Sequence, residues 1–331
     1  MTFTDSIFLA AARRDMPAAT TSVGEALRDG RSVSSVLAAL AGVQLLVGER
    51  WYRDEWSVAD EHAATATVDA ALAVVEAFVG RTGPGPAPIS VVVACPEGEW
   101  HALPARLFAT ELRSLGADVT FLGASMPADH LARYVGDHRT DLVALSVSTA
   151  LGFGAAARSI DAVRRVGVPT VVGGPAFGSD DRRARALGAD GWSPDAGGML
   201  RDPLFGPGAL RVAARRRDRE SQLLRIELDR PSLVDAAMGV LGRRIPTMAA
   251  FERSQLAATR QDLDHIAHFA AAAILVEDRS LFVDFIGWLG PLLAARGVPA
   301  LVVGAALDAL IEVSSDHELC AVLRTGVAAQ S

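Results

Sequence analysis

The sequence predicts a parallel α/β core flanked on both sides by all-helical segments. Three observations predict it. Short β-branched apolar runs recur between residues 89 and 192, separated by stretches of helix length. The flanking segments carry apolar residues at three- and four-residue spacings with no such runs. A glycine- and proline-rich stretch, Arg81-Thr-Gly-Pro-Gly-Pro-Ala-Pro88, separates the first segment from the second. At 331 residues the chain has room for two or three domains, and three are expected: 1–83, 84–204 and 205–331.

In the first segment Thr4 to Arg14 reads as a short amphipathic helix and Thr21 to Arg28 as a second, starting after Pro17. Gly30 ends the second helix. Ser32 then caps a third reaching about Trp51, with Val33, Val36, Leu37, Leu40 and Val43 on its apolar face. A fourth runs from about Val58 to Val79, and four such helices with short connections make a bundle.

In the second segment Ile89–Ala94, Val119–Leu122, Leu142–Val147 and Thr170–Val172 are continuous apolar runs, as in strands buried on both faces. Their alternation with helices predicts right-handed crossovers, and a short fifth strand at Ala189–Trp192 completes a flavodoxin-like, Rossmann-like sheet. Ligands of such sheets sit at the carboxyl ends of the strands, so the loops after strands one, three and four are where chemistry is sought. The third segment predicts a solvated connecting helix, Ala209–Leu224, carrying Arg215–Arg217. Helices follow at about Leu233–Leu241, Ala249–Val276, Leu281–Arg296, Ala300–Val313 and Asp316–Arg324.

All 32 basic residues are arginine, which excludes chemistry that needs a lysine amine, such as a pyridoxal Schiff base or a phosphate-loop lysine. A formal charge of −7 argues against a surface made to grip nucleic acid or anionic lipid. Cys95 and Cys320 are read as buried free thiols. The start carries Asp5 where a targeting segment would be basic. The most apolar long stretch, Leu281 to Leu307, is interrupted by Asp284, Pro291, Arg296 and Pro299. A cytoplasmic protein with no membrane partner is the expectation.

The loop after the first strand reads Cys95-Pro-Glu-Gly-Glu-Trp-His101. A histidine here can offer one ring nitrogen to a metal while Glu99 steadies the other. The third strand ends in Ser146-Val147-Ser148 and the fourth in Gly173-Gly174, where glycines permit close approach of a ligand to the backbone. In order, spacing and position these features resemble the cobalamin-binding Rossmann-like family, whose signature is D/E-x-H-x-x-G, then S-x-L, then G-G. The resemblance implies His101 as lower axial ligand to cobalt with Glu99 behind it. It also implies a slot beside Ser146, Ser148, Gly173 and Gly174 for the displaced dimethylbenzimidazole tail. Pro104 and Ser148 depart from that signature, replacing glycine and leucine.

In the bundle, Trp51 is followed after nine residues by Glu61-His62. This spacing resembles the CarH-type cobalamin photoreceptors, whose bundle covers the upper face of adenosylcobalamin. The resemblance implies Trp51 over the adenosyl group and Glu61 and His62 bonded to it, with photolysis of the cobalt–carbon bond as the trigger. Those receptors have a histidine directly after the tryptophan. Here it is Tyr52, so a light state with two histidines on cobalt is not expected unless His62 or another group takes that place. Their amino-terminal DNA-binding region has no counterpart before the bundle, so no nucleic acid partner is expected.

The third segment resembles the globin-like, biliverdin-binding extension of photocobilins. The residues that carry the likeness are Asp262, His265 and His268 at three-residue spacings, then Trp288 and Arg296, eight apart on the next helix. A non-enzymatic light sensor binding adenosylcobalamin and biliverdin is the reading, acting through light-dependent homo-oligomer assembly or a separate output protein. Two rivals stand beside it: a corrinoid methyl carrier, and an adenosylcobalamin regulator whose last helices only dimerise.

Overall fold

The computed structural model describes residues 2–81, 83, 88–201, 217–299 and 301–329, with side chains in the helix after residue 217 described from Ile226. Arg215–Arg217 as a solvated face, most of the Arg81–Pro88 linker and the 204/205 boundary lie outside the described residues. The chain forms two compact units. The first comprises Met1–Ser148, Arg158–Asp181 and Ala189–Val212; the second comprises Thr149–Ala157, Arg182–Gly188 and Ala213–Ser331.

The first unit begins with α1 (Phe3–Ala12), α2 (Met16–Arg28), α3 (Val33–Tyr52) and α4 (Val58–Val79). Side chains that satisfy the orphan amides set their starts. Thr2 and Asp5 form a capping box on α1, Ser32 accepts from Ser35 on α3, and Ser57 and Asp60 form a capping box on α4. The second helix starts before Pro17, not after it. Asp15 caps it, and a proline in the first turn gives up only an amide that has no helical partner. Ile7, Val23, Val36, Leu40, Val43, Val68 and Leu72 close the bundle core. By length and composition α3 and α4 could each cross a membrane, rather than the Leu281–Leu307 stretch; Val36, Leu40, Val68 and Leu72 from these two helices lie in this core.

The same unit holds β1 (Ser90–Ala94), α5 (Ala102–Ser114), β2 (Asp118–Phe121), α6 (Ala128–Asp137), β3 (Leu142–Ser146), β4 (Thr170–Gly173) and β5 (Gly191–Trp192). All strand pairs are parallel and the order is β2-β1-β3-β4-β5. The switch point of such a sheet lies between β1 and β3. Val91–Ala94 and Leu142–Leu145 are buried, which accounts for their unbroken apolar runs.

Helix α7 (Phe153–Arg165) follows β3, and α8 (Arg182–Ala186) and α9 (Ala196–Arg201) flank β5. In the second unit α10 (Arg217–Arg244) runs unbroken through Pro231, where the sequence predicted a gap before Leu233. An interior proline costs about 3 kcal/mol in a helix. Burial of Val234, Ala237, Val240 and Leu241, in a helix packed on α11 and α13, offsets it. α11 (Arg253–Leu275) starts later than expected, because residues 246–250 form a 3-10 turn and Glu252 with Gln255 caps the helix. α12 (Arg279–Ala295), α13 (Leu301–Val313) and α14 (His317–Ala328) complete the unit, with Gly326 admitting Phe282 so closely that an added Cβ would lie 2.7 Å from its ring.

Candidate functional site

The β1–α5 loop places His101 as the residue capping α5. Pro104 falls in the first turn of that helix, where a missing amide leaves no helical bond unmade. Glu99 is buried, its side chain 2% exposed, and its carboxylate is fully engaged. Oε1 accepts from the His101 amide at 2.9 Å and meets His101 Nδ1 at 2.6 Å, while Oε2 accepts from the Ser148 amide at 2.7 Å. One carboxylate thus ties the loop after β1 to the loop after β3.

Burial alone would push the Glu99 carboxyl up. The bonds from the His101 ring, the His101 amide and the Ser148 amide outweigh it and hold the carboxyl below its usual range. The bond to Glu99 pushes the His101 imidazole up, burial opposes this, and the charges of Glu99 and Glu61 add to the rise. With Nδ1 turned to Glu99, Nε2 is the ring nitrogen that remains for a ligand, on a side chain 63% exposed. Burial pushes the neighbouring Cys95 thiol up to about 12, which leaves it unreactive.

The α3–α4 turn belongs to the same unit. Trp51 and Tyr52 are the last residues of α3, and Asp54 takes a left-handed φ of 59° that lets the chain reverse. The Arg50 carbonyl accepts the amides of Glu55 and Trp56, and Trp56 stacks on Phe8 with ring centroids 6.0 Å apart. Ser57 then starts α4, which sets Glu61 and His62 at its opening. Glu61 Oε2 meets His62 Nδ1 at 2.5 Å, and Glu61 Oε1 accepts from Thr65 at 2.8 Å. Thr65 in turn accepts from Gln44 at 3.1 Å. Sequence reading missed Thr65 and Gln44, which give Glu61 its orientation.

A cavity of about 540 Å³ opens between the α3 face (Leu37, Ala41, Leu45), α5 (Leu103, Phe108) and the strand ends, where Ser146, Gly173 and Gly174 line it. The chain's own backbone also crowds the glycine pair. A Cβ at Gly174, whose φ is 102°, would stand 2.5 Å from the Val147 carbonyl oxygen, and one at Gly173 would stand 2.8 Å from the Ser193 carbonyl oxygen. The Ser148 hydroxyl is buried with no partner among the described residues.

In the second unit Asp262, His265 and His268 lie on α11, Trp288 on α12, and Arg296 caps α12. Burial pushes the Asp262 carboxyl up, opposed by the charges of His265 and Arg296, so these three stand together. Burial and the charges of Arg230 and His265 push the His268 imidazole down, opposed by Asp264. Phe269 stacks on Phe285 at 3.8 Å, and Trp288 lies 6.1 Å from Phe285. Cys320 is buried beside the Ile311 and Ser314 carbonyls. Among the described residues no three His, Cys, Asp or Glu side chains converge on a metal position. A cobalt already held by a corrin ring asks for only one protein donor.

Residues 89–199 match the B12 binding domain family, and residues 4–76 match a second family also described as a B12 binding domain. The HTH-type transcriptional repressor CarH of Myxococcus xanthus is 33% identical over 147 residues, 44% of this chain and 47% of that protein. The chain therefore spans about half the length of this curated relative. The Methanosarcina barkeri monomethylamine corrinoid protein superposes with a TM-score of 0.51 at 17% identity, covering 59% of this chain and 93% of that one. It shares the fold. The bundle and the sheet are thus each similar to B12 binding domains, and the sheet has the Rossmann-like fold.

Proposed function

We propose that the chain is a light-responsive regulator that binds adenosylcobalamin between the β1–α5 loop and the α3–α4 bundle. The observation that carries this reading is the imidazole of His101, fixed at Nδ1 by a buried carboxylate and lying within the field of Glu61 on the bundle. The residues fit the cofactor on three counts. The cavity has room for a nucleotide tail beside Ser146, Gly173 and Gly174. The Ser148 hydroxyl, without a partner among the described residues, is a polar atom in want of a bond at the same strand end. Glu61 and His62 present polar groups for a nucleoside, with Trp51 as an aromatic roof.

In this reading His101 Nε2 would hold the cobalt, with Glu99 orienting the ring and strengthening it as a donor. Adenosylcobalamin would supply a light-sensitive cobalt–carbon bond. Trp51 would cover the adenosyl group and exclude water, and Glu61 and His62 would bond to it. The contacts that Glu61, His62 and Trp51 make only with the nucleoside present would bias homo-oligomer assembly or a separate output protein.

For the second unit the proposal is a biliverdin held along α11 and α12. Asp262 and His265 would serve the pyrrole nitrogens, Arg296 a propionate, and Trp288 and His268 the edge of the slot. The support is the acid, base and cation gathered at Asp262, His265 and Arg296, with the aromatic ladder of Phe269, Phe285 and Trp288 on the same two helices. Protein loaded in the dark with adenosylcobalamin and biliverdin tests both parts. Stoichiometric red-shifted bilin absorption is expected, together with a cobalamin spectrum and an oligomeric state that change under green light. Preference for methylcobalamin with no response to light would leave the methyl carrier as the better reading. Failure of biliverdin alone would reduce the last helices to a dimerisation module.

A further inference from the structure

Helix α5, which follows β1, is touched by both α3 and α4 of the bundle. Part of that contact is apolar: Leu103 belongs to the bundle core and Leu107 packs against it. The rest is ionic. Arg106 Nε and Nη2 reach Glu76 Oε1 and Oε2 at 2.9 and 2.6 Å, and Nη1 reaches Asp69 Oδ1 at 2.6 Å. Asp69 and Glu76 stand two turns apart on one face of α4, and the Arg106 side chain is only 22% exposed.

We infer that Arg106 is a positioning residue, a latch that sets the height of the crevice and so makes the site selective for a nucleoside-sized upper group. The inference rests on the cobalamin reading above. His101 caps the start of α5, and Glu61 and His62 stand at the start of α4. A tie between α5 and α4 therefore fixes the gap between the lower donor and the cap. Apolar contact is non-directional and survives a slide of α4 along its axis. A planar guanidinium forked onto one carboxylate and bonded to a second does not.

The test compares dark binding of adenosylcobalamin and hydroxocobalamin to the full chain and to Arg106→Gln, Glu76→Gln and the swap Arg106→Glu with Glu76→Arg. Arg106→Gln is expected to weaken adenosylcobalamin about tenfold and hydroxocobalamin less than about threefold, with partial recovery in the swap. Glu76→Gln, the milder change, should move the same ratio in the same direction and keeps the test decisive should Arg106→Gln fold poorly. A second readout needs no cofactor: amide hydrogen exchange at the opening turns of α4 should quicken in Arg106→Gln while the bundle core stays protected. Equal weakening of both cobalamins, or unchanged exchange in α4, overturns the latch. Should the unaltered chain bind no cobalamin, the functional reading falls, and the exchange measurement still decides whether Arg106 holds α4 on α5.

Discussion

Glu99 concentrates more of the site in one side chain than any other residue described. Its carboxylate satisfies two backbone amides and one ring nitrogen, from loops 49 positions apart in sequence. Glu99→Gln keeps the shape and removes the charge that orients His101, and an amide cannot accept from all three donors as a carboxylate does. Cobalamin affinity is expected to fall by roughly 10- to 100-fold, the range typical for partners of metal-bound histidines. A titration followed by the visible spectrum checks this, and unchanged affinity would remove Glu99 from the site. The two residues were legible as a pair because a carboxylate two positions before a histidine at a strand end has few other uses. The Ser148 amide as third partner was not, since it depends on the β1–β3 register, which sequence spacing does not give.

At the scale of elements, the bundle helices and strands were legible because caps and unbroken apolar runs mark them locally. Pro17 and Pro231 misled for opposite reasons: one sits where a helix lacks nothing by it, the other where tertiary burial outweighs its cost. Helix α11 carries a consequence for stability. Burial, and the charge of Arg230, lower the His268 imidazole from 6.5 to about 4; Asp264 opposes this and His265 adds to it. Below pH 6.5 the unfolded chain takes up a proton that the folded one refuses. Stability therefore falls as pH drops from about 6.5 to about 4, by roughly 3 kcal/mol from this group. Urea unfolding of the full chain across that range should show the loss, and His268→Leu should flatten it. An equal slope in the variant would contradict the assignment.

At the scale of the molecule, the all-arginine, acidic composition excluded whole classes of chemistry but chose none. What chose was the coincidence of sheet-edge residues with bundle residues: β1 and β3 bring Glu99 to Ser148, and the α3–α4 turn brings Glu61 within the field of His101. The Arg106 tie and the Gln44–Thr65 support of Glu61 were illegible, because long-range side-chain contacts follow only from helix packing. The central claim is that the imidazole of His101 replaces the cofactor's own base on cobalt. It is tested most directly by electron paramagnetic resonance of the protein carrying cob(II)alamin, with the histidines labelled with nitrogen-15. A doublet splitting from the labelled imidazole, absent in His101→Ala, is the result the account predicts. A triplet from the unlabelled benzimidazole, the same in both proteins, would contradict it.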